Sequence, residues 1–292
     1  MPQQYFSDRE AGPRPRTSEE IPLPVWGGIV AAINSRVKDG SFGYRFPDTC
    51  PDGEVVCGCS ETDFSLALRA DIPDVSWPLD PQSIPPKLAV LDLIEFCFQS
   101  TGKPIQGDYH DYFKHYHLSF NREEGQAALR DDINRIFARN GIAFELNTTG
   151  TIERLAPEGI RESLNSAQFK TGDDDLNALL EAARTKYLDP DLNVRKESLE
   201  KLWDAWERLK TIEDKDKKKG ATILLNKAAT EPTFRGLLEE EAEKLTVIGN
   251  NFRIRHSETT KAPIETSEQV DYMFHRMFAL IHLLLRKTGR GG

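Results

Sequence analysis

Residues 194–210, VRKESLEKLWDAWERLK, settle the fold class of the second half of the chain. Val194, Leu199, Leu202, Trp203, Trp206 and Leu209 recur at the steps that place apolar side chains on one face of a helix. Glu197, Glu200 and Lys201 are left for ordinary helix-surface pairs. The same period continues on both sides. Upstream, 173–188 carries Leu176, Leu179, Leu180 and Ala183, and Asp189-Pro190 reads as a cap followed by proline in the first helical turn. Downstream, EDKDKKKG from Glu213 is a solvated break, and a short helix is expected over 221–229. Thr230 is placed to cap a helix over 231–248, with Phe234, Leu237, Leu238, Ala242 and Leu245 as its stripe. A loop follows over 249–263. The last helix, 267–287, is rich in Met, Phe, Ile and Leu. Helices joined by short connections predict an up-and-down bundle.

The first half has another texture. Pro and Gly are dense through Pro86, as in GYRFPDTCPDG from Gly43 and PLDPQSIPP from Pro78, which predicts short strands and irregular loops. Two helices stand out. Residues 87–101, KLAVLDLIEFCFQST, are apolar on most faces and therefore buried. Residues 125–139 carry Ala128, Leu129, Ile133, Ile136 and Phe137 on one stripe and end at Asn140-Gly141. IAFEL and TIERL, separated by 147–150, read as a β-hairpin. The fold class is thus an α+β N-terminal domain, 1–160, followed by a mainly α up-and-down helical bundle, 170–292, with the linker at about 156–172.

The totals bound the function. A chain of 292 residues that is 38% hydrophobic and 29% charged can bury two cores. Its net charge of −9 disfavours non-specific nucleic-acid binding and leaves room only for a local basic cleft. The first twenty residues are polar, so no secretory signal is expected, and no apolar run reaches the roughly 18 residues of a bilayer span. A cytoplasmic protein with no membrane partner is the expectation. In that compartment the four cysteines, Cys50, Cys57, Cys59 and Cys97, are free thiols or metal ligands rather than disulfides.

VRKESLEKLWDAWERLK followed by GNNFRIRHSE and a final apolar helix is similar to the C-terminal HEPN-type domain of AbiJ-like abortive-infection proteins. Arg195 to Leu199 and Ile254 to His256 stand where that family has its two C-terminal motifs. The N-terminal half resembles the family's fourth class of N-terminal domain through YFSDRE, LDLIEF and FARNGIAFEL. The resemblance implies a HEPN-like bundle, a homodimer through that bundle, RNA as substrate, a phage or host trigger protein, and metal-independent endoribonuclease chemistry by an Arg/His pair. The usual signature places Arg four to six residues before His. Here Arg253 and Arg255 stand closer to His256, and a non-catalytic RNA- or protein-binding module is the alternative reading.

RNA cleavage without metal needs a base for the 2′-hydroxyl proton and a cation on the phosphate. Imidazole and guanidinium supply these. Arg255, His256, Arg253 and Glu258 offer both in one segment, with Glu258 to orient the imidazole; Arg195 and Lys196 on the facing helix are the candidate substrate-binding cations. The same residues also admit a structural role, in which Arg253 and Arg255 pair with Glu239, Glu240 and Glu241, His256 caps a helix, and Arg195 and Lys196 are solvated charges. No cofactor is required for that chemistry. A second constellation lies in the first half: Cys50, Cys57 and Cys59 in one glycine-containing loop, and His110, His115 and His117 in YHDYFKHYH. Thiolates and imidazoles are zinc ligands, and on a strand His115 and His117 face the same side. The C-x6-C-x-C spacing is not that of a standard zinc finger, so isolated thiols and histidines at the core edge are the competing reading. Asp48, Asp52, Glu61 and Asp63 read as a solvated acidic surface, and Trp26-Gly27-Gly28 is no phosphate loop because no GK[ST] follows.

Overall fold

A computed structural model describes residues 5–254 and 261–291 and divides the chain into two units, Met1–Leu155 and Ala156–Gly292. The first is α+β. After the short helix α1 (Phe6–Ala11), α2 (Leu23–Lys38) opens behind Pro22 and buries Val25, Trp26, Ile29, Val30 and Ile33. This corrects the expectation of short strands and loops in that stretch. Pro22 stands at the cap and Pro24 in the first turn, where no intrahelical N–H is needed, so neither interrupts the helix. Gly27-Gly28 lowers helix propensity, but burial of the apolar stripe outweighs that cost of about 1 kcal/mol per glycine. A 3-10 turn (Ser41–Tyr44) leads to the antiparallel pair β1 (Pro47–Thr49) and β2 (Val56–Cys59), and then to α3 (Glu61–Asp71), capped by the Ser60 hydroxyl.

Helix α4 (Lys87–Ser100) is buried on most faces, as its composition predicts. The hairpin β3 (Lys103–His110) and β4 (His115–Asn121) follows, and β2 lies beside β4. Helix α5 (Arg122–Arg139) begins three residues before the expected 125 because the Asn121 side chain accepts from the Glu124 amide and caps it there. The predicted hairpin is present as β5 (Phe144–Leu146) and β6 (Ile152–Arg154). Phe42, Phe46, Phe64, Phe96 and Trp77 interlock at ring separations of 4.9–6.0 Å within this unit's core. Arg154, 5% exposed, is drawn into it by Glu19 at 2.7 Å.

The second unit is helical throughout its regular elements. It starts with α6 (Glu158–Ser166), inside the segment expected to be a linker. Ile160 and Leu164, four residues apart, are buried and hold this helix to the core. Then come α7 (Asp174–Tyr187), α8 (Leu192–Glu213), α9 (Lys217–Ala228), α10 (Pro232–Asn251) and α11 (Ser267–Lys287). Helix α8 packs against α7, α9 and α11 and contributes Leu199, Leu202, Trp203, Trp206 and Leu209 to the core. Three helix starts differ from expectation. Asp191, not Asp189, starts α8, because its carboxylate accepts from the Asn193 amide. Asp216 accepts from Lys218 and Lys219 and starts α9 four residues before 221, so the solvated break is shorter than the charge run suggests. Glu231, not Thr230, caps α10. Among the described residues no helix is long and apolar enough to cross a membrane.

Candidate functional site

Two constellations carry chemistry, one in each unit. In the helical unit, α6 and α11 border an open groove of about 590 Å³. One wall is Gly159, Ile160 and Ser163. The other is a stripe of α11: His275, Phe278, His282 and Arg286, with Lys287 at its end. His275 and His282 are seven residues apart, and Arg286 follows four after His282, so the helical period stacks all three on one face. Burial, and secondarily the Arg286 guanidinium, hold the His282 imidazole below the usual histidine range, which leaves it neutral near pH 7. Its ring stacks on Phe278 at 5.5 Å.

His275 is fixed from behind. The buried Tyr187 hydroxyl donates to Asp271 Oδ1 at 2.7 Å and lies 2.9 Å from His275 Nε2. A carboxylate only accepts and a hydroxyl has one proton, so His275 Nε2–H donates to Tyr187. The groove therefore holds one oriented imidazole, one neutral imidazole and two cations, the groups needed to take a proton beside a phosphate.

Sequence reasoning missed this stripe because 267–287 read as apolar bundle core. A signal was there: Arg276 stands six residues before His282, a spacing within that of the Arg/His signature. On one helix those two side chains point about 120° apart. Arg276 faces α10 instead, where Nε and Nη2 grip Glu241 at 2.9 and 2.8 Å. Of the residues singled out from sequence, Arg255, His256 and Glu258 lie outside the described residues. Arg253 Nε donates to the Lys261 carbonyl at 3.1 Å. Arg195 is 1% exposed and its guanidinium reaches the Asp189 carbonyl at 3.3 Å and Ser267 Oγ at 3.0 Å. That position ties the start of α8 to the start of α11 and gives a ligand no access, which corrects its reading as a phosphate contact. Lys196 is half-buried on the same helix, away from the groove-lining residues.

In the α+β unit, the β1–β2 turn and the β3–β4 hairpin bring Cys50, His115 and His117 together, with one donor atom from each within 4.8 Å of the others. Cys50 is held by its amide to the Val55 carbonyl (2.8 Å) and by its own carbonyl from the Gly53 amide (3.1 Å). His115 and His117 share a face of β4 with ring centroids 5.8 Å apart. The His110 ring lies 5.6 and 5.7 Å from theirs, and its Nε2 meets Asp52 Oδ2 at 3.2 Å. Cys57 and Cys59 do not join the cluster. They line a separate recess with Asp39, Asp48 and Glu61, and burial followed by the carboxylates of Glu61, Asp48 and Asp63 pushes the Cys59 thiol up to about 12. The cysteines thus sit on a hairpin rather than in one loop, with Cys57 and Cys59 on one face of β2 and Cys50 in the β1–β2 turn.

A family model described as AbiJ N-terminal domain 4 matches residues 4–170. No curated protein and no solved structure matches the chain.

Proposed function

The chain belongs to the AbiJ N-terminal domain 4 family and is a defence-associated protein, and from that premise we propose that it is an abortive-infection effector whose helical unit cuts RNA at the α6–α11 groove. The observation that carries the reading is the neutral His282 imidazole opening on that groove beside Arg286 and Lys287. His282 takes the proton of a ribose 2′-hydroxyl, and the 2′-oxygen attacks the adjacent phosphorus. The 5′-oxygen leaves with a proton from solvent, giving a 2′,3′-cyclic phosphate and a 5′-hydroxyl. The Arg286 fork and Lys287 stabilise the charge gathering on the phosphate oxygens. His275, oriented by Tyr187, positions the substrate. None of these steps draws on a metal. The HEPN-type architecture and a homodimer through the bundle belong to the same reading.

Sequestration of Arg276 by Glu241 favours one alternative, a non-catalytic RNA- or protein-binding module. Expression in a phage-challenged bacterial host separates them. Growth arrest and RNA fragmentation that vanish in His282→Ala support the nuclease, with Arg286→Ala weakening both. Unchanged arrest in His282→Ala together with loss in His256→Ala would move the site to the segment before α11. Arrest without RNA fragments in every variant would favour the binding module.

A further inference from the structure

The cluster in the α+β unit has no part in the groove chemistry. Its donors are a buried thiol and two imidazoles, a borderline-to-soft set that suits zinc better than hard cations. The decisive observation is that His115 Nε2 and His117 Nε2 are both buried and meet no hydrogen-bond partner among the described residues. A buried, unpaired ring nitrogen costs about 1–3 kcal/mol. Two of them on one strand, with a donor atom of each ring within 4.8 Å of the Cys50 sulfur, point to a common ligand. Tetrahedral zinc with bonds of about 2.0–2.3 Å sets its donors about 3.3–3.8 Å apart, so the donors, all within 4.8 Å, close on an ion with shifts of about 1 Å.

We infer that Cys50, His115 and His117 bind one zinc ion, with His110 closing the fourth position through Nδ1. Asp52 accepts from His110 Nε2 in the manner of a carboxylate standing behind a metal-bound imidazole, which leaves Nδ1 as the ring nitrogen able to ligate. That nitrogen accepts a long hydrogen bond from the Phe113 amide at 3.4 Å, which zinc would displace as the ring moves in toward the three donors. The ion ties the β1–β2 turn to the β3–β4 hairpin and all four positions are taken by side chains, so its role is structural.

Elemental analysis of the purified full chain tests the assignment. The expected result is about one zinc per chain, falling below about a tenth in Cys50→Ser and in His117→Ala, and unchanged in Cys59→Ser, whose sulfur lies in the separate recess. His110→Ala and Asp52→Ala should each weaken zinc binding by at least about tenfold. Unaltered affinity in His110→Ala would remove that residue from the fourth position. Should the cysteine and histidine variants fail to fold, the wild-type chain stripped by a chelator and titrated with Co²⁺ gives an independent reading. A sulfur-to-cobalt charge-transfer band with tetrahedral visible bands is expected. Wild-type protein with less than about a tenth of an equivalent of zinc and no such band would overturn the site, as would full zinc content in folded Cys50→Ser. Neither result bears on RNA cleavage, so this inference and the nuclease proposal fail separately.

Discussion

Arg195 shows how much one buried polar residue does. It is 1% exposed in a helical core, and its Nη1 donates to the carbonyls of Asp189 and Pro190 while Nη2 donates to Ser267 Oγ. Arg195→Ala leaves those acceptors dry and opens a cavity, so the expected loss is about 2–4 kcal/mol of unfolding free energy in urea titration. A phosphate-binding role would instead leave stability unchanged. His282 makes the second residue-scale prediction. Burial lowers its folded pKa, so the unfolded state binds the proton more readily. The stability this conceals is present above the ordinary histidine value and is lost as pH falls through it, ending at the lower folded value. His282→Phe should flatten the stability–pH curve just below the ordinary histidine value. Neither residue could be assigned from sequence. Arg195 sits in a run of charges that reads as a solvated face, and only the tertiary neighbours Asp189 and Ser267 show it pointing inward.

At the scale of elements, close approach decides where helices meet. A Cβ at Gly220 would stand 1.9 Å from the Lys210 carbonyl oxygen, and one at Gly249 would stand 2.3 Å from Trp203 Nε1, which donates to the Leu245 carbonyl at 3.1 Å. The first obstacle is backbone and cannot swing aside. Gly220→Ala should therefore cost about 1–3 kcal/mol, although alanine is the better helix former, while Gly236→Ala in open space on α10 should be neutral or stabilising. Equal thermal melts for the two would contradict this packing. Most helices of the second unit were legible because their stripes are long and periodic, and α11 was placed at 267–287 to the residue. Their ends were not, since Asp191 and Glu231 each stand beside another candidate cap and Asp216 lies within the charge run that read as a break. Helix α2 was missed because proline and glycine punctuation outweighed its stripe in a local reading. The histidine pairing on β4 follows from strand alternation alone; that Cys50, and not Cys57 or Cys59, meets it depends on the β1–β2 turn and the register irregularity between Asp48 and Thr49.

For the whole molecule, family membership rests on residues 4–170, which include the α6 wall of the groove, while the α11 wall lies beyond them. A chain of net charge −9 can hold RNA only where cations are concentrated. Two phosphate contacts, from Arg286 and Lys287, predict a shallow salt dependence, with log K falling by about 1.4 per decade of salt on single strands. A much steeper slope would place the RNA on another surface. The same picture expects a dimer by light scattering at micromolar concentration, and a monomer would separate the fold from the bundle-mediated assembly proposed for it. The central claim is that a neutral His282 acts as the base at this groove. The pH–rate profile of RNA cleavage by the purified full chain, in buffer without divalent cations, tests it most directly. The account predicts 2′,3′-cyclic phosphate products, a rate that falls with acid through a pKa below that of free histidine, and a loss of about 10²- to 10⁴-fold in His282→Ala. A His282→Ala protein that cleaves as fast as the parent, with the same acid limb, would contradict it.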